Sequence, residues 1–357
     1  MFSIEMLPAQ YGDCLWIEYG DEREPRRILV DCGMKSTYRL LSKRLKKSPD
    51  LSFELLVLTH VDADHIQGSI PLLQEAGPER FKDVWFNGWE QLPPDDSLGP
   101  VQGEIVSALL KKGGFTWNAP WPGKTKPVVI PDKGKLPSQT LEGGLKLTLL
   151  SPTPDELADL RLEWKKILAE EKMRPGRTGD ALRRLETRRE LQADRLGRID
   201  PFALARTKYE PDKGAGNGSS IALLAEYEGK SLLLAGDSFA PLLEQTIGRL
   251  LKERRQEGPL RLDAFKLSHH GSRGNTSPGL LGMVACRDFL ISTNGSSYHH
   301  PHGETVARVI LSQDRPRLHF NYQSDENKVW GGRALQRDFS YEAHYPKPGT
   351  EGCKLSL

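Results

Sequence analysis

The sequence predicts an α/β protein in which mixed sheets are covered by helices. Short apolar or alternating runs of strand length recur along the chain, helix-spaced runs separate them, and polar clusters stand at the carboxyl ends of the strand-like runs. The 357 residues suffice for one elaborated domain spanning 1–357. Lys and Arg number 50 against 48 Asp and Glu, so no global basic field argues for non-specific polyanion binding. No run of about 18 apolar residues occurs, and the start, MFSIEMLPAQYGDC, lacks a basic region followed by an apolar leader. A cytoplasmic protein without membrane contact is expected. Cys14, Cys32, Cys286 and Cys353 form no C-x-x-C pair and read as reduced thiols.

Phe2–Leu7, Cys14–Tyr19 and Arg27–Val30 read as a meander broken by Gly12-Asp13 and by a charged turn at 20–26. Asp31, next to Gly33 at the third strand's end, is expected to hold a loop through backbone N–H groups and not to bind metal. Thr37–Lys47 has helical spacing at Tyr38, Leu41 and Leu45. The apolar run Leu55–Leu58 predicts a buried strand, followed by strands at Val84–Phe86 and Leu145–Leu150. Gln91–Pro137, rich in Pro, Gly and Trp, reads as a long irregular tract whose tryptophans either pack the loop or wall a cleft.

Residues 155–200 turn densely charged and helix-favouring. Leu157, Leu160, Trp164, Ile167 and Leu168 form one stripe, Pro175-Gly176 marks a break, and an arginine-rich second half follows. A peripheral helical-hairpin insertion is expected, solvated by its own ion pairs or serving as a lid, a phosphate-binding face or a protein-partner surface. The glycine-rich turn at 209–220 precedes a hairpin, Ile221–Ala235, turning at Gly229, and Asp237 follows it. A helix at 241–254 leads to strands Leu262–Leu267 and Phe289–Ser292.

The ligand-bearing stretch is LLVLTHVDADHIQG, which delivers His60, Asp62, Asp64 and His65 within six residues at one strand's carboxyl end. Alternation sends the first three to one side, and His65 joins them if a helix starts at Asp64. Seven of the nine histidines fall in three clusters: this one, His269-His270, and His299, His300 and His302. Imidazole nitrogens and carboxylate oxygens so gathered are the ligands of a hydrolytic divalent-metal site. Asp237, with two carboxylate oxygens, suits a ligand shared between two ions.

These motifs, with GDC near Gly12, NGSS before the hairpin, LLLAGD, KLSHHGS and YHHPH, resemble the metallo-β-lactamase superfamily. Within it they are similar to the soluble metallo-hydrolase domain of the competence (ComEC-type) DNA-uptake protein and its stand-alone relatives. The resemblance implies a four-layer αββα sandwich with two divalent ions at one edge. Two departures stand out: the usual second histidine of the block is Asp62, and no histidine lies between His65 and His269. One site would hold His60, Asp62 and Asp237, with Asn217, Ser219 or His269 nearby, and the other Asp64, His65, Asp237 and His300. By position His300 is favoured over His302, and His269 over His270. More carboxylates favour manganese or magnesium over zinc at the first site.

The expected function is a two-metal phosphodiesterase or nuclease acting on nucleic acid or a nucleotide. Asp64 belongs to its reactive centre, His269, His270 or His302 protonates the leaving group, and Lys266 and Arg273 hold phosphate with Asn217 and Ser219 nearby. Alternatives are hydrolysis of a lactone, thioester or amide, and a degenerate scaffold acting as an interaction protein.

Overall fold

The computed structural model describes residues 1–92, 101–170 and 200–357. The strands are β1 (Phe2–Met6), β2 (Leu15–Gly20), β3 (Pro25–Val30), β4 (Leu55–Val57), β5 (Val84–Trp85), β6 (Ser138–Thr140), β7 (Lys146–Ser151), β8 (Ala222–Tyr227), β9 (Lys230–Leu234), β10 (Leu260–Lys266), β11 (Val284–Ile291), β12 (Arg317–Phe320), β13 (Glu342–His344) and β14 (Cys353–Ser356). One sheet has the order β14-β1-β2-β3-β4-β5 and the other β13-β12-β11-β10-β9-β8-β7-β6.

Alternation decides how the first sheet is buried. Ile4, Met6, Ile17, Tyr19, Ile28, Val30, Leu55 and Val57 join a core shared with the second sheet. Their neighbours Trp16, Leu29, Leu56 and Leu58 enter a separate cluster with Leu41, Ile70, Leu72 and Val106 of the covering helices. On the second sheet the helices Ala240–Glu253 and Gly303–Ser312 bury Leu243, Ile247, Val306 and Val309. The result is helix, sheet, sheet, helix.

Each sheet is antiparallel in one part and parallel in the other. β3, β4 and β5 run parallel, as do β9 through β13. Parallel strands end on the same side of a sheet, so the segments after β3, β4, β9, β10 and β11 leave from corresponding edges. Those segments carry Asp31, His60–His65, Asp237, His269-His270 and His300.

The structure departs from expectation in three places. The Gln91–Pro137 tract contains the helix Val101–Lys112, which buries Ile105, Val106, Leu109 and Leu110 at i, i+1, i+4, i+5 spacing. Of its tryptophans and their neighbours, Trp85 and Trp121 are buried and meet edge to face at 5.1 Å in the core, whereas Trp89 and Trp117 line a cleft with Arg161, so both readings of the tract hold in part. Strands β12 to β14 lie in a stretch where no strand is expected; β12 is buried between β11 and β13, whereas the edge strands β13 and β14 are only half-buried, β14 pairing antiparallel with β1.

The boundary at residue 155 does not mark the start of a peripheral segment. The helix Pro154–Glu170 opens with Thr153, whose N–H donates to Glu156 Oε2 at 3.0 Å in the manner of a capping box. It then buries Leu157, Leu160 and Trp164 in the cluster beneath the first sheet. Residues 171–199, with the break at Pro175-Gly176 and most of the arginine-rich half, lie outside the described residues, as do the side chains of Ile167 and Leu168.

Trp164→Ala should therefore destabilise the fold by about 3–5 kcal/mol, the loss usual for a large buried aromatic. Removal of 155–200 should abolish cooperative unfolding, whereas removal of 171–199 alone should leave it. Denaturant melts of the three variants check both expectations.

Candidate metal centre

β4 ends at Val57, and Thr59 and His60 follow before the short helix Ala63–Ile66 begins at Asp62. The turn into this helix brings His65 back beside His60, with ring centroids 4.2 Å apart. Gly12 is required beneath it, because a Cβ there would stand 1.8 Å from the Asp64 carbonyl oxygen. Gly216 of the glycine-rich turn packs against Asp62, where a Cβ would come within 2.7 Å of Oδ1. His269 and His270 are consecutive residues with φ of 47° and 54°, a rare backbone state for non-glycine residues that sends their rings to different neighbours.

Asp237 lies at the middle. Its Oδ2 is 3.4 Å from His65 Nε2, 3.7 Å from both His60 Nε2 and His269 Nε2, and 3.9 Å from His270 Nε2. Every one of these imidazoles turns its other nitrogen to an anchor. His65 Nδ1 is 2.7 Å from Asp31 Oδ2, and His60 Nδ1 is 3.0 Å from Thr59 Oγ1 and 3.4 Å from Ser220 Oγ. His270 Nδ1 donates to the Ser292 carbonyl at 2.9 Å and stands 3.5 Å from Asp13 Oδ1. His269 Nδ1 stands 3.2 Å from Asp212 Oδ2. An Nδ1–H bonded to a carboxylate or carbonyl leaves Nε2 as the free lone pair, the usual arrangement around a metal.

The donor set fits divalent cations. Ligand atoms on a tetrahedral ion with bonds of 2.0–2.2 Å stand about 3.3–3.6 Å apart. His65 Nε2 is 3.2 Å from His270 Nε2 and 3.9 Å from Asp64 Oδ2, and His270 Nε2 is 3.4 Å from Asp64 Oδ2. Asp237 Oδ2 stands 3.4 Å from His65 Nε2 and 3.9 Å from His270 Nε2, so these atoms come as close to one another as donors on one ion do. His60 Nε2 is 3.7 Å from Asp62 Oδ2, and His60, His65 and Asp237 offer ligand atoms within 4.8 Å of one another. His60 Nε2 and Asp237 Oδ1 are buried without a hydrogen-bond partner, which a cation would relieve.

The electrostatics agree. Burial opposes charge on Asp237, yet the imidazoles of His65, His269 and His270 hold its carboxyl well below the usual carboxylate range. Burial likewise opposes charge on His65, yet Asp237, Asp31 and Asp64 hold it well above the ordinary imidazole value. For His270, burial is outweighed by Asp13 and Asp237, and its pKa rises to about 9. Without cations, the acids draw protons onto the rings.

Several expected site residues stand elsewhere. His270, not His300, has its Nε2 among the second set of donors. His300 meets His269 edge-on at 5.0 Å, and burial together with His269 and His270 keeps it neutral. His302 is one ring further out, 4.7 Å from His300; its Nδ1 accepts from the Arg273 N–H, and burial and Arg273 lower its pKa to about 4. A proton-donor role for His302 does not fit that setting. Lys266 is fully buried, donating to Asp13 Oδ2 at 2.7 Å, and cannot reach a substrate phosphate. Ser219 is also buried, its hydroxyl closing the glycine-rich turn onto Gly216. Arg273 is exposed but pairs with Glu304 at 3.0 Å. Asn217 does line the cleft and donates to Asp212 at 2.7 Å.

Asp13 and Asp212 were legible only as turn residues, since both follow or precede glycines in loops distant from every histidine in sequence. Asp31 orients His65 and accepts from the Thr59 N–H at 2.8 Å, so it acts on the centre through a ring it holds.

Lys266→Met leaves Asp13 buried without its cation and should cost about 3–5 kcal/mol, with much of that recovered in Lys266→Met/Asp13→Leu. Equilibrium denaturation measures both. Because His270 keeps its proton up to about 9, a cation binding at neutral pH must displace it. Zinc or manganese binding to metal-stripped protein should therefore release protons near pH 7, and affinity should rise toward about pH 9. Calorimetry in buffers of different ionisation enthalpy counts the protons; none released at neutral pH would contradict this assignment.

No family model matches the chain. ComE operon protein 3 of Bacillus subtilis (strain 168) is 28% identical over 127 residues, which cover 32% of this chain; the chain spans 15% of that relative's length. The crystal structure of the metallo-beta-lactamase fold protein YhfI from Bacillus subtilis aligns over 100% of both chains at 11% identity with a TM-score of 0.39, too loose a likeness to bear weight. The chain's own sheet order, with ligand-bearing loops leaving the ends of facing sheets, is that of an αββα sandwich, and in this it resembles the metallo-β-lactamase superfamily.

Proposed function

We propose that this chain is a metal-dependent hydrolase of phosphodiester bonds. The observation that carries it is the gathering of donors around Asp237: Asp64, His65 and His270 within 3.2–3.9 Å of one another, with His60 and Asp62 beside them. Divalent ions in such a centre supply Lewis-acid activation of water and of phosphoryl oxygens. The chain's own part is to fix that arrangement. Asp31, the Ser292 carbonyl and Thr59 hold three rings, and Asp237 offers its carboxylate to all of them. His269 is the one imidazole of the central four with appreciable access to solvent, its side chain 22% exposed while those of His60, His65 and His270 are closed off. With Nδ1 against Asp212, its Nε2 is placed to hold a proton for a leaving oxygen.

A second reading has its own support. The cleft at the centre is lined by Tyr11, Asp62, Asp64, Asn217 and Tyr298, and no Lys or Arg lines it among the described residues. Tyrosine walls without a cationic rim also suit a lactone, thioester or amide, whose scissile carbonyl is uncharged.

Purified protein should carry two divalent ions and turn over bis(p-nitrophenyl) phosphate with manganese, magnesium or zinc in preference to p-nitrophenyl acetate and simple lactones. Asp237→Asn should lower the metal stoichiometry and abolish turnover, and Asp31→Ala should weaken metal binding by roughly 10- to 100-fold. Metal analysis with the substrate panel decides; preference for the esters would establish the second reading.

A further inference from the structure

Tyr298 is 67% exposed and lines the same cleft as Asp62 and Asp64. Its ring lies 6.1 Å from that of His300, inclined by 30°. Tyr298 and His299 take φ of 58° and 56°, so two consecutive bulky residues occupy the left-handed region. Side chains rarely adopt it, and when they do the surroundings must enforce it. Here they do. His299 Nδ1 stands 3.1 Å from Glu326, the Ser296 N–H donates to Asn294 Oδ1 at 3.0 Å, and the His302 N–H donates to the Gly271 carbonyl at 3.1 Å.

The same loop is tied to the opposite end of the chain. The Asn294 N–H donates to the Gln10 carbonyl at 2.8 Å, and the next residue, Tyr11, lines the cleft as well. Two tyrosines on linked loops thus stand over one centre. The cleft measures about 320 Å³, near the lower bound of roughly 300 Å³ for pockets that hold a small organic ligand. It has room for one planar group, not for a duplex.

We propose that Tyr298, with Tyr11, is a stacking platform for a nucleobase next to the scissile phosphate, making the substrate a base-bearing phosphodiester with unpaired bases. This rests on the phosphodiesterase reading of the same site. Stacking on an aromatic face is available to every base and needs no charge, which suits a cleft without lining cations among the described residues. Recognition then falls to the base, while the phosphate is left to the cation-binding centre.

The test compares a single-stranded oligodeoxynucleotide with an abasic oligomer of equal length, using manganese-loaded protein. Wild type should prefer the base-bearing strand by about 5- to 100-fold in kcat/KM, and by a similar factor in affinity read by fluorescence anisotropy. Tyr298→Asn, which tolerates a left-handed backbone, should collapse that ratio to about threefold or less, while Tyr298→Phe should keep it. Equal treatment of both strands by wild type, or a ratio unchanged in Tyr298→Asn, would overturn the platform. If neither strand is cleaved, the hydrolytic reading falls and anisotropy still decides: base-dependent binding lost in Tyr298→Asn supports the platform, and its absence overturns it.

Discussion

A carboxylate taken out of water must be compensated by what surrounds it, and at Asp237 the surroundings are four imidazole Nε2 atoms between 3.4 and 3.9 Å away. Each of those rings would be free to rotate were its other nitrogen not held. Asp31, Asp212, Thr59 and the Ser292 carbonyl therefore matter as much as the inward-facing atoms, because they decide which nitrogen carries the lone pair. The outer acids also add negative charge to the region, and Lys266 offsets one of them from inside the core. The centre is a set of nested charge compensations whose innermost member is fitted to a cation.

Parallel strands bring this set together. Asp31, His60, His65, Asp237 and His270 are spread over 240 residues, yet each follows a strand that ends at the junction of the two sheets. Strand-end loops need glycine where two backbones approach, and here Gly12 meets the Asp64 carbonyl and Gly68 the Cys32 carbonyl.

What the sequence made legible follows from how local each signal is. Strands β1 to β4 and the hairpin of β8 and β9 are readable because apolar alternation and a glycine turn are contained within a few residues. The block from His60 to His65 is readable for the same reason. The choice between His269 and His270 is not, because it depends on two left-handed residues and on Asp13, more than 250 positions away. Lys266 illustrates the converse error: a lysine beside a metal motif suggests a phosphate, but its strand position points it into the core toward Asp13. The helix Pro154–Glu170 misled because dense charge on its outer face hid an inner stripe that belongs to the body of the domain.

The charge of the cleft links its two halves. Asp62, Asp64 and Glu163 line it, and no basic residue among the described ones does. Without cations at the centre, an anionic substrate would meet a repulsive wall, and the field of the buried carboxylates would hold protons on His65 and His270. Cations bound at the centre would displace those protons and make the potential at the cleft floor less negative. Ion binding and the binding of an anionic substrate would therefore be coupled in this geometry, because the same carboxylates that attract the first repel the second. A neutral planar group approaching Tyr298 feels little of that field, which is why the mouth of the cleft can be aromatic while its floor is ionic.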